Sequence, residues 1–355
     1  MKKSILLFIA GGMLLSVSCK KTDNNNNNST VAESAVISDF VSKIALPVYS
    51  DLQNKATLLN TAVNTLNTSP TDANLEAART AWRNTRSTWE QCEGFLIGPV
   101  SDDNYDPNMD TWPVDYNQLD SFITSSSDFS VSTIEVLKES LRGFHPLEYI
   151  LWGKGGSATA ASITVREKQY MTALSQDIQN NCTKLNNSWL AGGGNYQSKV
   201  LTAGTGSTIY PKRQDAMLAI VNGMAEICDE VSEGKIKEPY TAIDSNLTES
   251  PFSHNSITDF TNNISGARNV YTCTFNGQSG TSMSSYVAAR NIQLDNKIKE
   301  QFAAAISAMG NVTANFETAI HTQRTQLQAA MNAIATLKTT LDGELKTYVQ
   351  TYAKD

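Results

Sequence analysis

Histidine is scarce in this chain: three in 355 residues. Any site built on imidazole must draw on His145, His254 and His321 alone, which leaves little room for the histidine-rich centres of many zinc enzymes. Charge is thin as well, at 18% of residues, and 35 acidic groups outnumber 28 basic ones. A partner held through its phosphates, nucleic acid above all, is therefore disfavoured. Nine prolines and 20 glycines are too few for collagen-like or proline-rich architecture. Beyond the first 18 residues no apolar run approaches the roughly 20 residues that span a bilayer. Period-2 alternation is also rare, and no stretch reads as a sustained strand. What the chain does have is apolar material, 40% of its residues, ample for packed cores. At about 150 residues per domain its length suggests two domains.

The N-terminus reads as an address. Lys2 and Lys3 precede an apolar run from Ile5 to Val17, then small Ser18 and Cys19. That order matches a signal peptide over residues 1–18, with Cys19 as the acylated first residue of a lipoprotein. Ser16 stands where a lipobox commonly has Leu, so an ordinary secretory signal with an incidental Cys19 is the alternative. The stretch KKTDNNNNN at 20–28 cannot pack and suits a tether, taken here as residues 19–34. The expected location is the bacterial cell envelope, lipid-anchored at the outer membrane, with the membrane touched only through the anchor. Four further cysteines, Cys92, Cys182, Cys228 and Cys273, are widely and irregularly spaced. They form no zinc-ribbon pattern, and their pairing is left open.

The mature chain is patterned for helices. Ile37, Phe40, Val41, Ile44, Val48 and Leu52 recur at three and four residues. So do Leu327, Met331, Ile334, Leu337, Leu341, Leu345 and Val349, and Ile298, Phe302, Ile306 and Met309 follow the same rule. Amphipathic helices of this length bury their stripes most simply in bundles. Gly98–Asp115 reads as a long loop, Gly153–Ser157 as a glycine turn, and Gly192–Ser207 as a break near the middle of the mature chain. The expected architecture is all-α, with one helical bundle over 35–195 and a second over 196–355.

Two stretches carry candidate chemistry. In LRGFHPLEYILWG (141–153), Glu148 follows His145 by three residues, so on a helix the two could share a cation. Pro146 disfavours helical dihedrals at His145, which would make His145 an N-cap, and Glu148 could then simply close a capping arrangement. In AWRNTRSTWEQCEGFLIGPV (81–100), Trp82, Arg86, Trp89 or Glu90, and Glu93 share one helical face. Either Arg86 neutralises a buried glutamate or the glutamates serve something cationic. The loop that follows carries Asp106, Asp110 and Asp115, for which turn and capping chemistry is the plain explanation.

These runs, with DPNMDTWPVD at 106–115 and GFHPLEYILWG at 143–153, resemble the imelysin family. The family's Gly-x-His-x-x-Glu signature falls on Gly143, His145 and Glu148. EGKIKEP (233–239), ESPFSHNSITDF (249–260), NNISGARNVY (262–271) and NVTANFETAI (311–320) are similar to its later motifs, although the last lacks the expected prolines. The resemblance implies two four-helix-bundle variants with the signature residues near the domain interface, and a link to iron or haem uptake. It also carries a peptidase label.

A zinc peptidase needs about three ligands, an open water position and a base. Tyr149 follows Glu148, and no His-Glu-x-x-His occurs, so peptidase chemistry is the weaker reading. A carboxylate-rich site with one imidazole suits a divalent or ferric ion, iron first. Haem ranks below ionic iron because no CxxCH motif is present. The expected ligands are His145, Glu148 and Glu93, with Glu90 or Asp115 completing the shell. Trp82, Gly143 and Arg86 would line the site, Arg86 orienting a carboxylate or an anionic chelate. Glu249, Ser250, Ser253 and Asn255 would close it from the second half. Expected partners are iron or an iron chelate and other iron-uptake components. A non-catalytic interaction scaffold is the third reading.

Overall fold

A computed structural model describes residues 31–354. The expected signal segment 1–18, Cys19 and the tether through residue 30 lie outside the described residues. The chain enters as helix at Glu33–Asp39, so the last two residues assigned to the tether are already ordered structure. It passes through a π-helical turn at Phe40–Ala45 into helix α1, Leu46–Thr68. Thr71 caps α2, Asp72–Cys92, its side chain accepting from the N–H of Asn74. A run of short helical pieces leads to α3, Phe144–Trp152, and Thr164 with Glu167 forms a capping box for α4, Val165–Trp189. The second half is built on α5 (Arg213–Asp229), α6 (Ser256–Thr272), α7 (Ile292–Gly310) and α8 (Arg324–Thr340). The strands among the described residues are the two-residue arms of one hairpin, Thr274–Phe275 and Gln278–Ser279.

Helix α1 packs on α2 and α4, while α5, α6, α7 and α8 pack among themselves. The two sets meet where α2 crosses α6. Glycine permits this close approach. A Cβ on Gly266 would lie 2.4 Å from the Gln91 carbonyl oxygen, and one on Gly94 would lie 2.7 Å from the backbone nitrogen of Ala267. Buried apolar side chains form one continuous cluster from Val36 to Ala353. The first described helix also reaches into the second half: Tyr286 Oη donates to Glu33 Oε1 (2.9 Å), and Thr281 N–H donates to Asp39 Oδ2 (2.6 Å).

Three π-helical turns among the described residues explain the spacing of the stripes. An α-helix turns every ~3.6 residues, so a stripe kept at steps of four drifts around the helix by about one residue in three steps. Phe40, Ile44, Val48 and Leu52 make three such steps, as do Leu337, Leu341, Leu345 and Val349, and all eight are buried. A π-helical turn, which inserts one residue, lies within each run, at Phe40–Ala45 and at Leu341–Leu345. The third, Glu230–Ile236, continues α5. It carries the stripe Ile227, Val231, Lys235 inward, which buries a lysine.

The expected loop at 98–115 contains short helices at Pro99–Asp102 and Tyr105–Asp110. Cys92, Cys182, Cys228 and Cys273 are all buried free thiols. No helix among the described residues is long and apolar enough to cross a membrane.

Candidate metal centre

The centre is assembled where α2, α3, the 110–112 segment, the Glu230–Ile236 turn and the 248–259 segment converge. Gly143 makes that possible. Its φ is +86°, and a Cβ there would sit 2.1 Å from the carbonyl oxygen of Met109. The signature glycine thus lets the 109–110 backbone press against the start of α3, bringing Asp110 to His145. Trp82 fixes the same start, its Nε1–H donating to the Phe144 carbonyl (3.0 Å). The helix begins at Phe144, so His145 is helical and not an N-cap: packing overrides the restriction that Pro146 imposes.

His145 is 1% exposed and sits between two carboxylates. Its Nε2 lies 3.1 Å from Asp110 Oδ1 and its Nδ1 lies 3.5 Å from Glu148 Oε2, both off the line of a full hydrogen bond. Burial favours the neutral imidazole, but Asp110 and then Glu148 outweigh it and hold the pKa up to about 9. Glu148 does not cap its own helix. Its Oε1 accepts from the N–H of Phe252 (3.1 Å), the N–H of Ser253 (2.8 Å) and the Ser253 hydroxyl (2.7 Å), all in the second half. The other oxygen faces the imidazole. Glu148 therefore positions His145 and clamps the 252–253 turn.

Arg86, fully buried, is the permanent counter-ion. It pairs with Asp110 and Glu90, reaches Glu249 Oε1 (3.0 Å), and its Nε lies 3.7 Å from Asp259. Trp89 Nε1–H donates to Asp110 Oδ2 (2.6 Å). With Arg86 and His145 beside it, the Asp110 carboxyl is held well below the usual carboxylate range despite its burial. Lys235 Nζ lies 3.0 Å from Glu249 Oε1, 3.1 Å from Glu93 Oε2 and 3.6 Å from Glu90 Oε2. Asn263 Nδ2 donates to Glu90 Oε2 (2.7 Å) and to Glu93. Ser250 and Asn255 serve Asp259: the Ser250 hydroxyl donates to Oδ2 (2.7 Å) and Asn255 Nδ2 to Oδ1 (2.7 Å).

Asp115 is not brought to this cluster. It is exposed, and its carboxylate caps helix Tyr116–Thr124 by accepting from the N–H groups of Asn117 (3.1 Å) and Gln118 (3.0 Å). Asp110 takes the place expected for it. His254 also stands apart, its Nδ1 2.8 Å from Glu317 Oε2 at a separate groove. Asp110 was named from sequence only as a turn or capping residue, and three participants were not singled out at all: Lys235, Asp259 and Asn263. Each lies inside a run quoted above for the family resemblance, and that was the available signal.

The donor chemistry fits a cation. Side chains of Glu90, Glu93, Asp110, Glu148, Glu249 and Asp259 face Arg86, Lys235 and His145, an acidic excess in a buried place. Desolvation pushes Glu90 upward, and Glu93 and Asp259 well above the usual carboxylate range. Ligand atoms of Asp110, His145 and Glu249 lie within 4.8 Å of one another, and so do those of Glu90, Glu93 and Asp110. Buried Glu249 Oε2 has no hydrogen-bond partner. Oxygen donors with one imidazole suit hard or borderline ions. A cavity of about 180 Å³, lined by Glu93, Asp106, Asp110, Glu230, Lys235 and Glu249 among others, leads to the cluster.

Residues 45–341 match the imelysin model, peptidase family M75. The chain belongs to the imelysin family. It is 31% identical over 319 residues to iron-regulated protein A of Synechococcus elongatus, covering 88% of this chain and 86% of that one. Its fold is similar to that of a protein described as an iron-regulated protein A precursor from Parabacteroides distasonis, with TM-score 0.81, 28% identity, and coverage of 89% of this chain and 94% of the other. An imelysin-like protein from Psychrobacter arcticum shares the fold at TM-score 0.71 and 11% identity, over 88% and 94% of the two chains. The all-α imelysin architecture expected from the sequence is the one observed.

Proposed function

We propose that this imelysin is an iron-binding accessory lipoprotein of iron acquisition, anchored through Cys19 in the cell envelope, and that it captures cargo rather than turning over a substrate. The observation that carries this reading is the set of Asp110, His145 and Glu249 ligand atoms within 4.8 Å of one another, buried and reached by the Glu93–Glu230 cavity. The name of the Synechococcus relative, iron-regulated protein A, supports iron as the cargo.

Asp110, His145 and Glu249 would hold the ion, with Glu90 and Glu93 as further oxygen donors. Glu148 orients the imidazole so that Nε2 faces Asp110. A protonated imidazole cannot ligate, so capture releases the His145 proton. Ser253 and the 252–253 amides keep Glu148 in place from the second half, so both halves contribute to one site.

The test is anaerobic calorimetry with Fe(II) on the purified protein and on His145→Ala combined with Glu249→Ala. The double variant should bind at least tenfold more weakly while circular dichroism reports the same helix content. Equal affinity would end the reading. Peptide cleavage abolished by chelator and restored by zinc would replace it with the peptidase, and a Soret band on haem titration would redirect it to haem.

A further inference from the structure

The cluster holds two buried cations, and they are attached differently. Arg86 offers a rigid fork matched to several carboxylates at once, is 0% exposed, and lies in the middle of α2. Lys235 offers a point charge on a flexible stem. Its ammonium bridges the two candidate ligand groups, 3.0 Å from Glu249 of one and 3.1 Å from Glu93 of the other. It also lines the 180 Å³ cavity through which an ion would arrive.

We infer that Lys235 is an exchangeable internal counter-ion: its ammonium occupies the carboxylates that an incoming metal ion would take, and loading displaces it. This rests on the cation-binding reading above. Glu249 Oε1 is shared by Arg86 and Lys235, while Oε2 has no partner. A divalent or trivalent ion on the same oxygens gains more Coulomb energy than a single ammonium, so exchange favours higher charge.

The displaced side chain has somewhere to go. Glu230, at the start of the same π-helical turn, is half exposed and already lies 3.7 Å from Nζ. Gly234, immediately before the lysine, has open space where a Cβ would stand. A swing toward Glu230 keeps the ammonium paired while freeing Glu93 and Glu249. Without Lys235 the metal-free carboxylates would keep Arg86 as a counter-ion at Glu90 and Glu249 but would lose the ammonium beside Glu93. The lysine therefore keeps the apo site folded and also selects against monovalent ions, which bring no charge advantage over it.

The experiment is amine labelling of the whole protein with an acetylating reagent, read by peptide mass spectrometry, with and without Fe(II) under anaerobic conditions. Lys235 should be protected in the metal-free protein and react at least tenfold faster when Fe(II) is bound, while exposed Lys154 stays unchanged. Lys235→Met should bind Fe(II) at least tenfold more tightly, melt at a lower temperature without metal, and gain a larger rise in melting temperature on loading. If that variant fails to fold, Glu230→Gln, altered at an exposed position, should load several-fold more slowly by stopped flow. Lys235 remaining protected while calorimetry shows Fe(II) bound would overturn the exchange and leave the binding reading standing. Fe(II) binding to neither wild type nor Lys235→Met would remove both.

Discussion

Gly266→Ala tests whether the crossing of α2 and α6 is as close as the geometry requires. Taken from helix propensity alone, replacing a mid-helix glycine by alanine stabilises a helix by about 1 kcal/mol. Position 266 lies inside α6, so sequence reasoning predicts a gain. The tertiary structure reverses the sign. The new methyl would fall 2.4 Å from the Gln91 carbonyl oxygen, 2.7 Å from its Cα and 2.9 Å from its carbonyl carbon. These are backbone atoms of α2 and cannot rotate away, so the helices must separate. Overpacking of this kind costs about 1–3 kcal/mol and sometimes more; rigid backbone neighbours put this site near the upper end, so about 3 kcal/mol less the ~1 kcal/mol propensity gain leaves a net loss near 2 kcal/mol. Separation would also pull Asn263, one turn earlier on α6, away from Glu90 and Glu93, so Fe(II) affinity should fall as well. Guanidinium unfolding of metal-free protein measures the first effect and calorimetry the second. Gly343→Ala, where a Cβ meets no atom within 4 Å, serves as the control and should be neutral or stabilising. A Gly266→Ala protein at least as stable as wild type would refute the close crossing.

Three further outcomes follow from the same structure. Glu148→Ala removes the acceptor of three donors at a fully buried position and should destabilise the protein by about 3–5 kcal/mol in denaturant titrations, with Glu148→Gln costing less; a loss under ~1 kcal/mol would mean that the 252–253 turn is held by something else. His145 titrates at about 9 in the folded protein against an ordinary 6.5, so its contribution to stability is complete below about pH 6.5 and is lost as pH rises through 9. The difference in unfolding free energy between metal-free wild type and His145→Gln should therefore shrink by a few kcal/mol from pH 6 to pH 10, and a pH-independent difference would contradict the imidazolium. Asp115→Ala should cost about 1 kcal/mol as a lost helix cap and leave Fe(II) affinity unaltered, whereas weakened binding would return Asp115 to the ligand set.

Much of the fold was legible because helical stripes are local. The stripes at 37–52 and 327–349 already place their residues on buried faces, and runs of steps of four even hint at the π-helical turns that absorb their drift. The site was legible only in part. Glu90, Glu93, Arg86, His145 and Glu249 were named from residue type and spacing or from motif likeness, and they do meet. Glu148 was named as a ligand, yet it spends one oxygen on amides more than a hundred residues away and turns the other toward His145. Asp110 and Asp115 were indistinguishable in sequence, two acids in one Pro- and Asp-rich run. The contact of Gly143 with the Met109 carbonyl is what brings the first to the cluster, while the second caps an exposed helix.

By itself the sequence determined the long helices, their buried faces and the residue types from which a cation site could be drawn, because periodicity and residue chemistry act within a turn or two of chain. Which carboxylates converge, which ammonium screens them and which glycines let the halves touch were decided only in the tertiary structure. Those features depend on distances between segments such as Gln91 and Gly266, and charges that repel in sequence become a site only when packing forces them to share one arginine and one lysine.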